Sequence, residues 1–324
     1  MLEKTLERID TALTVINLHP EYSSRVRNDA LHALWVEANK HSLRIEQANE
    51  YRGPEKQRTE DGDLLGRLKE AWDYLTTYEI NTTTLAVLGN LVEPRGHPYK
   101  SFRNAEVMIG DVPPPSSSKV PYMIKELAED LQRIQVHPII RASHAHIELV
   151  RIHPYCDGNG RAGRLLQTYC LNEKGYPPAI IPETERYIYT TLLRRTLRDR
   201  AERESYVTDP SDNEKLFHSF IAAKVLDSVE KVDQELQKRR MYLVEFRNGP
   251  DIETIITTAK RVRAYGKRYE GISVKIEEAE HAQKKNGTKL FITGNVGREQ
   301  VLEIMRQCAE RYDFRYKVIS NPYK

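Results

Sequence analysis

Residues 153–164 read HPYCDGNGRAGR and sit between two stretches with helical periodicity. Upstream, IIRASHAHIELVRI (139–152) repeats its apolar residues at helical steps; downstream, RLLQTYCLNEKG (164–175) does the same and stops at Gly175. The chain must therefore leave one helix, turn through Gly158, Asn159 and Gly160, and enter another within a few residues. An Asn-Gly pair commonly closes a β-hairpin, but that requires alternating strands on both sides. Neither flank alternates. A bare turn also has no use for Asp157, Arg161 and Arg164 in the same short stretch.

The residue types in this turn point to phosphate chemistry. Glycine and asparagine reach left-handed backbone angles at low steric cost. The N–H groups of Gly158, Asn159 and Gly160 can then face inward as an anion nest at the start of the helix that Arg161 begins. Arg164 follows Arg161 by three residues, on the same side of that helix, so two guanidinium forks can clamp phosphate oxygens. Asp157 is a hard oxygen ligand placed where Mg²⁺ bridges two phosphates. His153, with a pKa near neutrality, suits removal of a proton from an attacking hydroxyl. These are the parts for moving a phosphate-linked group onto an alcohol. A P-loop is excluded, because its G-x-x-x-x-G-K-[ST] lysine is missing.

The rest of the chain is mainly helical up to residue 245. DALHALWVEANKHSLRIEQANEY carries Leu31, Leu34, Trp35, Ala38, Ser42 and Ile45 along one helix face. RGPEKQRTEDGD (52–63) reads as an exposed loop. GHPYKSFRNAEVMIGDVPPPSSSKVP (96–121), rich in Gly, Pro and Ser, predicts a β-hairpin or extended flap that runs into a polyproline loop. The helical pattern then continues through MYLVEF. Residues 246–324 have an α-β-β-α-β order, with Asn286-Gly287 as a two-residue hairpin turn. The expected architecture is a mainly α protein in two parts: a helical bundle with a flap over 1–245, its core at 75–225, and a small α+β domain over 246–324.

Composition narrows the setting. With 324 residues the chain can bury a real core. No apolar run approaches the ~20 residues that span a bilayer, and the N-terminus mixes acids into its apolar positions, unlike a signal peptide. Cys156, Cys170 and Cys308 are too few and too scattered for a disulfide framework or a cysteine zinc site, which favours a reducing cytoplasm. Fifty basic and 47 acidic residues nearly balance, so nothing electrostatic calls for nucleic acid. A membrane partner is likewise not expected.

The twelve residues from His153 to Arg164 resemble the Fic motif, H-P-[F/Y]-x-[D/E]-G-N-G-R-x-x-R, filled at each defining position. His146, Leu149 and Ile152 match the helix leading into that motif. SFRNAEVMIGDVPPPSSSKVP resembles the family's flap and the loop after it, and GYPPAIIPETERYIYTTL its downstream helices. The resemblance covers residues 30–225. It implies a Fic-type helical bundle that transfers AMP from ATP to a Ser, Thr or Tyr hydroxyl of a protein, self-modification included. By position, His153 is implied as the general base and Asp157 as the Mg²⁺ ligand. Gly158, Asn159 and Gly160 would form the anion hole, and Arg161 and Arg164 would bind phosphates, Arg164 the γ-phosphate. The flap residues Phe102, Arg103, Val107, Met108 and Ile109 would register the target segment by strand-like pairing. UMP, phosphate or phosphocholine transfer remain open on the same scaffold, as does a homodimer. A non-catalytic binding module would have no need of His153.

SLRIEQ (42–47) resembles the family's inhibitory pattern [S/T]-x-x-x-E-[G/N], except that Gln47 fills the last position. The resemblance implies that Glu46 makes a bidentate salt bridge with Arg164, displacing the γ-phosphate, with Ser42 beside it. Glu46 orienting water for removal of AMP is a related option.

Other features have plainer explanations. His137, His144, His146 and His153 crowd together, but His144 and His146 are two apart and would face opposite ways on a helix, unlike a zinc pair. His144 is expected to be solvated and His146 to pack or support by a hydrogen bond. Tyr187 and Tyr189 are expected in ordinary packing. Cys156 occupies a variable motif position and is no nucleophile. TGNVGRE (293–299) lacks dinucleotide spacing, and AKRVRAYGKRY (259–269) reads as a solvated face, with target recognition or oligomerisation the expected role of the domain at 246–324.

Overall fold

The computed structural model describes residues 2–18, 24–47, 54–201, 209–238, 240–247, 251–266, 273–277, 289–294 and 298–320. The chain divides into two compact units, one formed by residues 1–18 with 24–230 and the other by 19–23 with 231–324.

The larger unit is built from α1 (Leu2–Leu18), α2 (Ser24–Gln47), α3 (Pro54–Thr77), α4 (Thr82–Val92), α5 (Val120–Arg133), α6 (Pro138–Ile152), α7 (Asn159–Glu173), α8 (Arg186–Ala201) and most of α9 (Asp212–Lys238). At its centre α6 and α7 pack as an antiparallel pair. α5 and α8 lie against α6, while α2, α3 and α4 lie against α7. The central pair is covered on nearly every side: α6 buries every residue from Ser143 to Val150, and α7 every residue from Arg161 to Thr168. A helix surrounded this way can no longer keep polar side chains in water. Each polar group on α6 and α7 therefore needs a partner inside the protein, and those partners build the site described below.

Local sequence sets the helix ends. Asn81 caps α4, its Oδ1 accepting from Thr84 N at 2.9 Å. α7 ends in a Schellman turn: Gly175 takes φ +80°, and Tyr176 N donates to Leu171 O at 3.0 Å.

Residues 52–63, expected as a loop, are helical from Pro54 onward. Proline suits the first helical position, and Glu, Lys, Gln and Arg are good helix formers. The later part of α3 buries Leu68, Ala71 and Leu75, which anchors the whole element. The flap also differs from a full hairpin. Between α4 and α5 a single β-bridge joins Ile109 and Val112, their N–H and C=O groups bonding reciprocally at 3.0–3.1 Å around Gly110 and Asp111. Pro113, Pro114 and Pro115 follow at once and have no N–H to extend a ladder.

The smaller unit contains β1 (Arg240–Arg247), α10 (Ile252–Gly266), β2 (Ser273–Glu277), β3 (Lys289–Gly294), α11 (Arg298–Tyr312) and β4 (Arg315–Ser320). The strands form one antiparallel sheet in the order β2-β3-β1-β4. This is the split β-α-β-β-α-β arrangement. Tyr242, Val244 and Phe246 alternate inward with Leu290 and Ile292, and meet Ile255 and Val262 of α10 and Val301, Ile304 and Met305 of α11. MYLVEF is thus a strand and not the end of a helix. Its alternation was hidden by the long helical run before it, and β1 straddles the expected boundary at 245/246. The Asn286-Gly287 turn lies outside the described residues, but β2 and β3, which flank it, do pair antiparallel.

Candidate active site

The loop between α6 and α7 is held by its own side chains. His153 ends α6 in a left-handed conformation, φ 53° and ψ 56°, and its N–H donates to Leu149 O at 3.0 Å. A non-glycine residue takes that conformation at some cost and needs support. Arg103 supplies it. This guanidinium is fully buried and donates to three carbonyls: His153 O at 2.7 Å, Ala105 O at 2.8 Å and Pro115 O at 2.6 Å. Asn159 staples the loop from the other side, its Oδ1 accepting from Tyr155 N at 3.0 Å and its Nδ2 donating to Tyr155 O at 2.9 Å. His97, also buried, accepts Cys156 N–H on Nδ1 and donates from Nε2 to Ser101 O at 2.7 Å.

Gly158 caps α7 with φ +82°, which only glycine adopts freely. The next N–H groups, of Asn159, Gly160 and Arg161, belong to the first turn, where helix geometry provides no internal acceptor and the helix dipole is positive. The nest expected from Gly158, Asn159 and Gly160 is thus shifted by one residue: the Gly158 N–H is taken by Asp157 Oδ1 at 2.5 Å, and the Asn159 side chain is occupied in the loop. His153 Nδ1 lies 3.3 Å from Val150 O. A carbonyl only accepts, so Nδ1 carries the proton in that contact and Nε2 keeps its lone pair. Burial, reinforced by the Arg103 charge, lowers the His153 pKa below the ordinary histidine value despite the Val150 contact. The imidazole is therefore neutral at neutral pH, as a base must be.

Arg164 lies at the centre of the site. Its Nε donates to Ser42 Oγ at 2.7 Å. Nη2 donates to Glu46 Oε1 at 2.7 Å and to Ser42 O at 3.1 Å, and Nη1 donates to Tyr189 OH at 3.0 Å. The expected bidentate pairing with Glu46 is not what forms: one carboxylate oxygen meets one nitrogen, because Ser42 and Tyr189 take the remaining donors. A relay continues inward. Tyr189 OH donates to His146 Nε2 at 3.0 Å, and His146 Nδ1 donates to Gln167 Oε1 at 2.7 Å. Glu46 Oε1 also lies so close to Gly160 that a methyl group there would overlap it. The carboxylate thus sits at the mouth of the nest. Burial alone would raise the Glu46 pKa, but the charge and hydrogen bond of Arg164, helped by Arg161 and Arg186, lower it overall. The side chain of Gln47 lies outside the described residues.

Arg161 points elsewhere, donating from Nη1 to Glu93 Oε2 at 2.6 Å. Both side chains are largely buried, and Glu93 Oε1 accepts Gly96 N–H at 3.3 Å. Asp157 is 60% exposed; its Oδ1 accepts Gly158 N–H at 2.5 Å and stands 3.5 Å from Arg161 Nη2. An exposed carboxylate beside the first turn of α7 suits Mg²⁺, which commonly takes one or two carboxylates and fills its shell with phosphate oxygens and water. Among the described residues no three His, Cys, Asp or Glu side chains are grouped to hold an ion by themselves, so the residues fit a metal that arrives with nucleotide.

On the flap, Met108 is 61% exposed while Phe102, Val107 and Ile109 are half-buried. Arg103, expected to meet a target, is instead the buried support of His153. His144 is also corrected: it is 1% exposed, because α8 covers that side of α6 and brings Arg200 to 3.4 Å, and burial lowers its pKa to about 4. Tyr189, Glu93 and His97 were missed as site residues. His97 and Glu93 carry no motif signal, and Tyr189 stood among 18 tyrosines.

Residues 74–171 match the sequence model of the Fic/DOC family. Among curated relatives, the protein named protein adenylyltransferase Fic of Drosophila mojavensis is 36% identical over 124 residues, which are 37% of this chain and 24% of that protein. Its namesake from Aedes aegypti is 33% identical over 146 residues, 42% of this chain and 29% of that protein. The chain thus matches about a quarter of the length of these relatives. Among solved structures, Fic-1 (residues 134–508) from C. elegans aligns with TM-score 0.59 at 19% identity, covering 73% of each chain. A Fic domain containing signaling protein from Bacteroides thetaiotaomicron VPI-5482 aligns with TM-score 0.56 at 15% identity, covering 71% of this chain and 97% of that one. Identities this low establish the shared fold.

Proposed function

We propose, for a chain whose residues 74–171 belong to the Fic/DOC family, that it is a protein adenylyltransferase restrained by its own Glu46. The activity is the one printed in the names of the curated relatives. The observation that carries the restraint is the four-way hold on Arg164 by Ser42, Glu46 and Tyr189, with the Glu46 carboxylate against Gly160.

With α2 displaced, the first-turn N–H groups of α7 and the Arg164 guanidinium would face a triphosphate, fixing it by charge-assisted hydrogen bonds. His153 Nε2 accepts the proton of the target hydroxyl as its oxygen attacks the α-phosphorus. The new O–P bond forms, the bond from that phosphorus to the bridging oxygen breaks, and pyrophosphate leaves. Asp157 would hold Mg²⁺, which when bound offsets phosphate charge. While α2 is docked, the Glu46 carboxylate puts negative charge where a phosphate must lie and keeps Arg164 from it. The target would lie along the exposed edge of the flap at Met108, paired to its backbone.

The test uses ATP labelled at the α-phosphate, with Mg²⁺, on wild type, Glu46→Gly and His153→Ala. Glu46→Gly should incorporate at least tenfold more label into protein than wild type, and adding His153→Ala should abolish the gain. Equal labelling of wild type and Glu46→Gly would refute the restraint. Label from UTP or CDP-choline in place of ATP would reassign the donor.

A further inference from the structure

The flap runs out from Ala105, turns at Gly110 and Asp111, and comes back to Pro115. One side chain closes its root. Arg103 Nη1 donates to Ala105 O at 2.8 Å on the outgoing side, and Nη2 donates to Pro115 O at 2.6 Å on the returning side. The same residue reaches the loop before α7 twice: its Nε donates to His153 O at 2.7 Å, and its backbone N–H donates to Pro154 O at 2.8 Å. Three carbonyls set around a planar fork suit arginine and not lysine, which donates from a single atom. Glu106 ties the root a second time, its Oε1 accepting from Ser117 N and Ser117 Oγ, both at 2.9 Å. Its other oxygen stands 3.8 Å from Arg103 Nη1.

The catalytic loop divides between holders. Asn159 staples Tyr155, and His97 accepts from Cys156 N. The carbonyls of His153 and Pro154 belong instead to Arg103. His153 is also the residue with φ 53°, a conformation that persists only when its surroundings impose it. A return to ordinary backbone angles would swing the imidazole away from Val150 O, now 3.3 Å from Nδ1, and so redirect Nε2. A general base works only within hydrogen-bond reach of the proton it takes, and a misplacement of about 1 Å can cost on the order of a hundredfold in rate.

We propose that Arg103 is a positioning residue for the general base, and that through it the flap and His153 form one unit. A target paired along the flap is thereby registered to the atom that takes its proton. Because its guanidinium is fully buried, Arg103 acts through His153 and not by contact with a reactant. The catalytic half rests on the proposed roles of His153 and the flap; the hold on His153 does not.

The experiment compares Glu46→Gly with Glu46→Gly/Arg103→Lys and Glu46→Gly/Glu106→Ala, so that the restraint is absent from all three. Lysine keeps the positive charge but loses the three-way span. Glu106 is 67% exposed, so Glu106→Ala loosens the root without opening the interior and decides the matter should the lysine variant not fold. The first readout is the proton NMR titration of the His153 ring, assigned by its absence in His153→Ala. Burial and the Arg103 charge hold its pKa below 6.5, against the opposing charges of Asp157 and Glu46. With a positive charge kept at position 103, a change in midpoint reports that the ring has moved. The midpoint should rise toward 6.5 in Arg103→Lys, and by less in Glu106→Ala. An unmoved midpoint in the variants that fold overturns the proposal. The second readout is labelling from ATP, where kcat should fall at least tenfold in Arg103→Lys with KM for ATP held within about threefold, since the first turn of α7 and Arg164 are held by other residues. A raised KM with unchanged kcat would make Arg103 part of nucleotide binding and overturns the assignment. If no donor labels Glu46→Gly, the transfer reading fails, and the titration still decides whether Arg103 positions His153.

Discussion

Tyr189 shows how much one buried hydroxyl can organise. It accepts from Arg164 and donates to His146, so Tyr189→Phe leaves a guanidinium N–H and an imidazole nitrogen without partners in the interior. The expected loss is about 1–3 kcal/mol of stability, measurable as a lower denaturant midpoint. Labelling from ATP should stay near the wild-type level, because Ser42 and Glu46 still hold Arg164; a gain as large as that of Glu46→Gly would mean that the hydroxyl and not the carboxylate is the main restraint. His153 yields a second prediction at this scale. Its pKa is lowered by burial and by Arg103, and the Glu46 charge opposes that lowering. In Glu46→Gly the histidine should therefore be harder still to protonate. The half-maximal point of the labelling rate should lie on the acid side of the ordinary histidine value of 6.5; a half-maximal point above 7 would assign the base elsewhere. These two residues differ in how readable they were. His153, Asp157, Arg161 and Arg164 fall in twelve consecutive positions, where spacing alone defines their geometry. Tyr189 is 25 residues from Arg164 and 43 from His146, and only the packing of α8 on α6 brings them together.

Elements carry the site through a few cross-links, and the one between α4 and α7 is the most exposed to failure. Glu93, directly after the last residue of α4, holds Arg161 at 2.6 Å with both side chains largely buried. Its carboxylate stays ionised below the ordinary range: burial would raise its pKa, but the Arg161 hydrogen bond and charge, with the N–H groups of Gly96 and Arg95, outweigh that. Removing one partner of a buried pair costs about 3–5 kcal/mol, and without Glu93 the Arg161 guanidinium keeps only the exposed Asp157 carboxylate at 3.5 Å. Glu93→Ala should therefore destabilise the larger unit by that order in a urea titration read by tryptophan fluorescence, while Glu93→Gln, which keeps a hydrogen-bond acceptor, should lose less. Equal effects would show that the lost charge, and not the hydrogen-bond acceptor, sets the whole cost. The same scale explains what the sequence concealed. Helices α5 to α8 were legible from their periodicity, since each has an apolar face against the core. The first turns of α3 were not, because their residues are charged and their helicity depends on Leu68, Ala71 and Leu75 farther along. β1 was not, because six alternating residues after a helix of 27 residues look like its continuation. The flap was over-read, since a composition of Gly, Pro and apolar residues does not distinguish a hairpin from a loop that closes on one bridge.

At the scale of the molecule, the larger unit has an acid sensitivity written into its interior. His144, His146 and His218 are each no more than 2% exposed, and burial lowers their pKa values to about 4, 3 and 3. His144 and His218 each also repel the approach of a proton through the nearby Arg200 charge. In the unfolded chain each titrates near 6.5. The sign follows directly: above that value neither state is protonated and the three have no effect on stability. As pH falls below it, the unfolded chain takes up protons that the folded chain refuses, and stability is lost until the folded pKa values are reached. The carboxylates with lowered pKa values, Glu46, Glu93 and Glu148, act in the same direction but only below about 4.5, their ordinary value. Between pH 6.5 and 4.5 the loss therefore belongs to the histidines, on the order of 2 kcal/mol for each at pH 5. Both tryptophans, Trp35 and Trp72, lie in this unit, so their fluorescence reports its unfolding separately from the smaller one. The urea midpoint read this way should be level from pH 8 to 7 and fall steadily from 6.5 to 4.5. Replacing His218 by Gln, which cannot take up a proton, should flatten part of that slope even if it lowers the midpoint at pH 7. A midpoint that holds steady to pH 5 in the wild type would mean that these histidines already carry protons in the folded state, and that the interior around α6 is more open to water than its packing indicates.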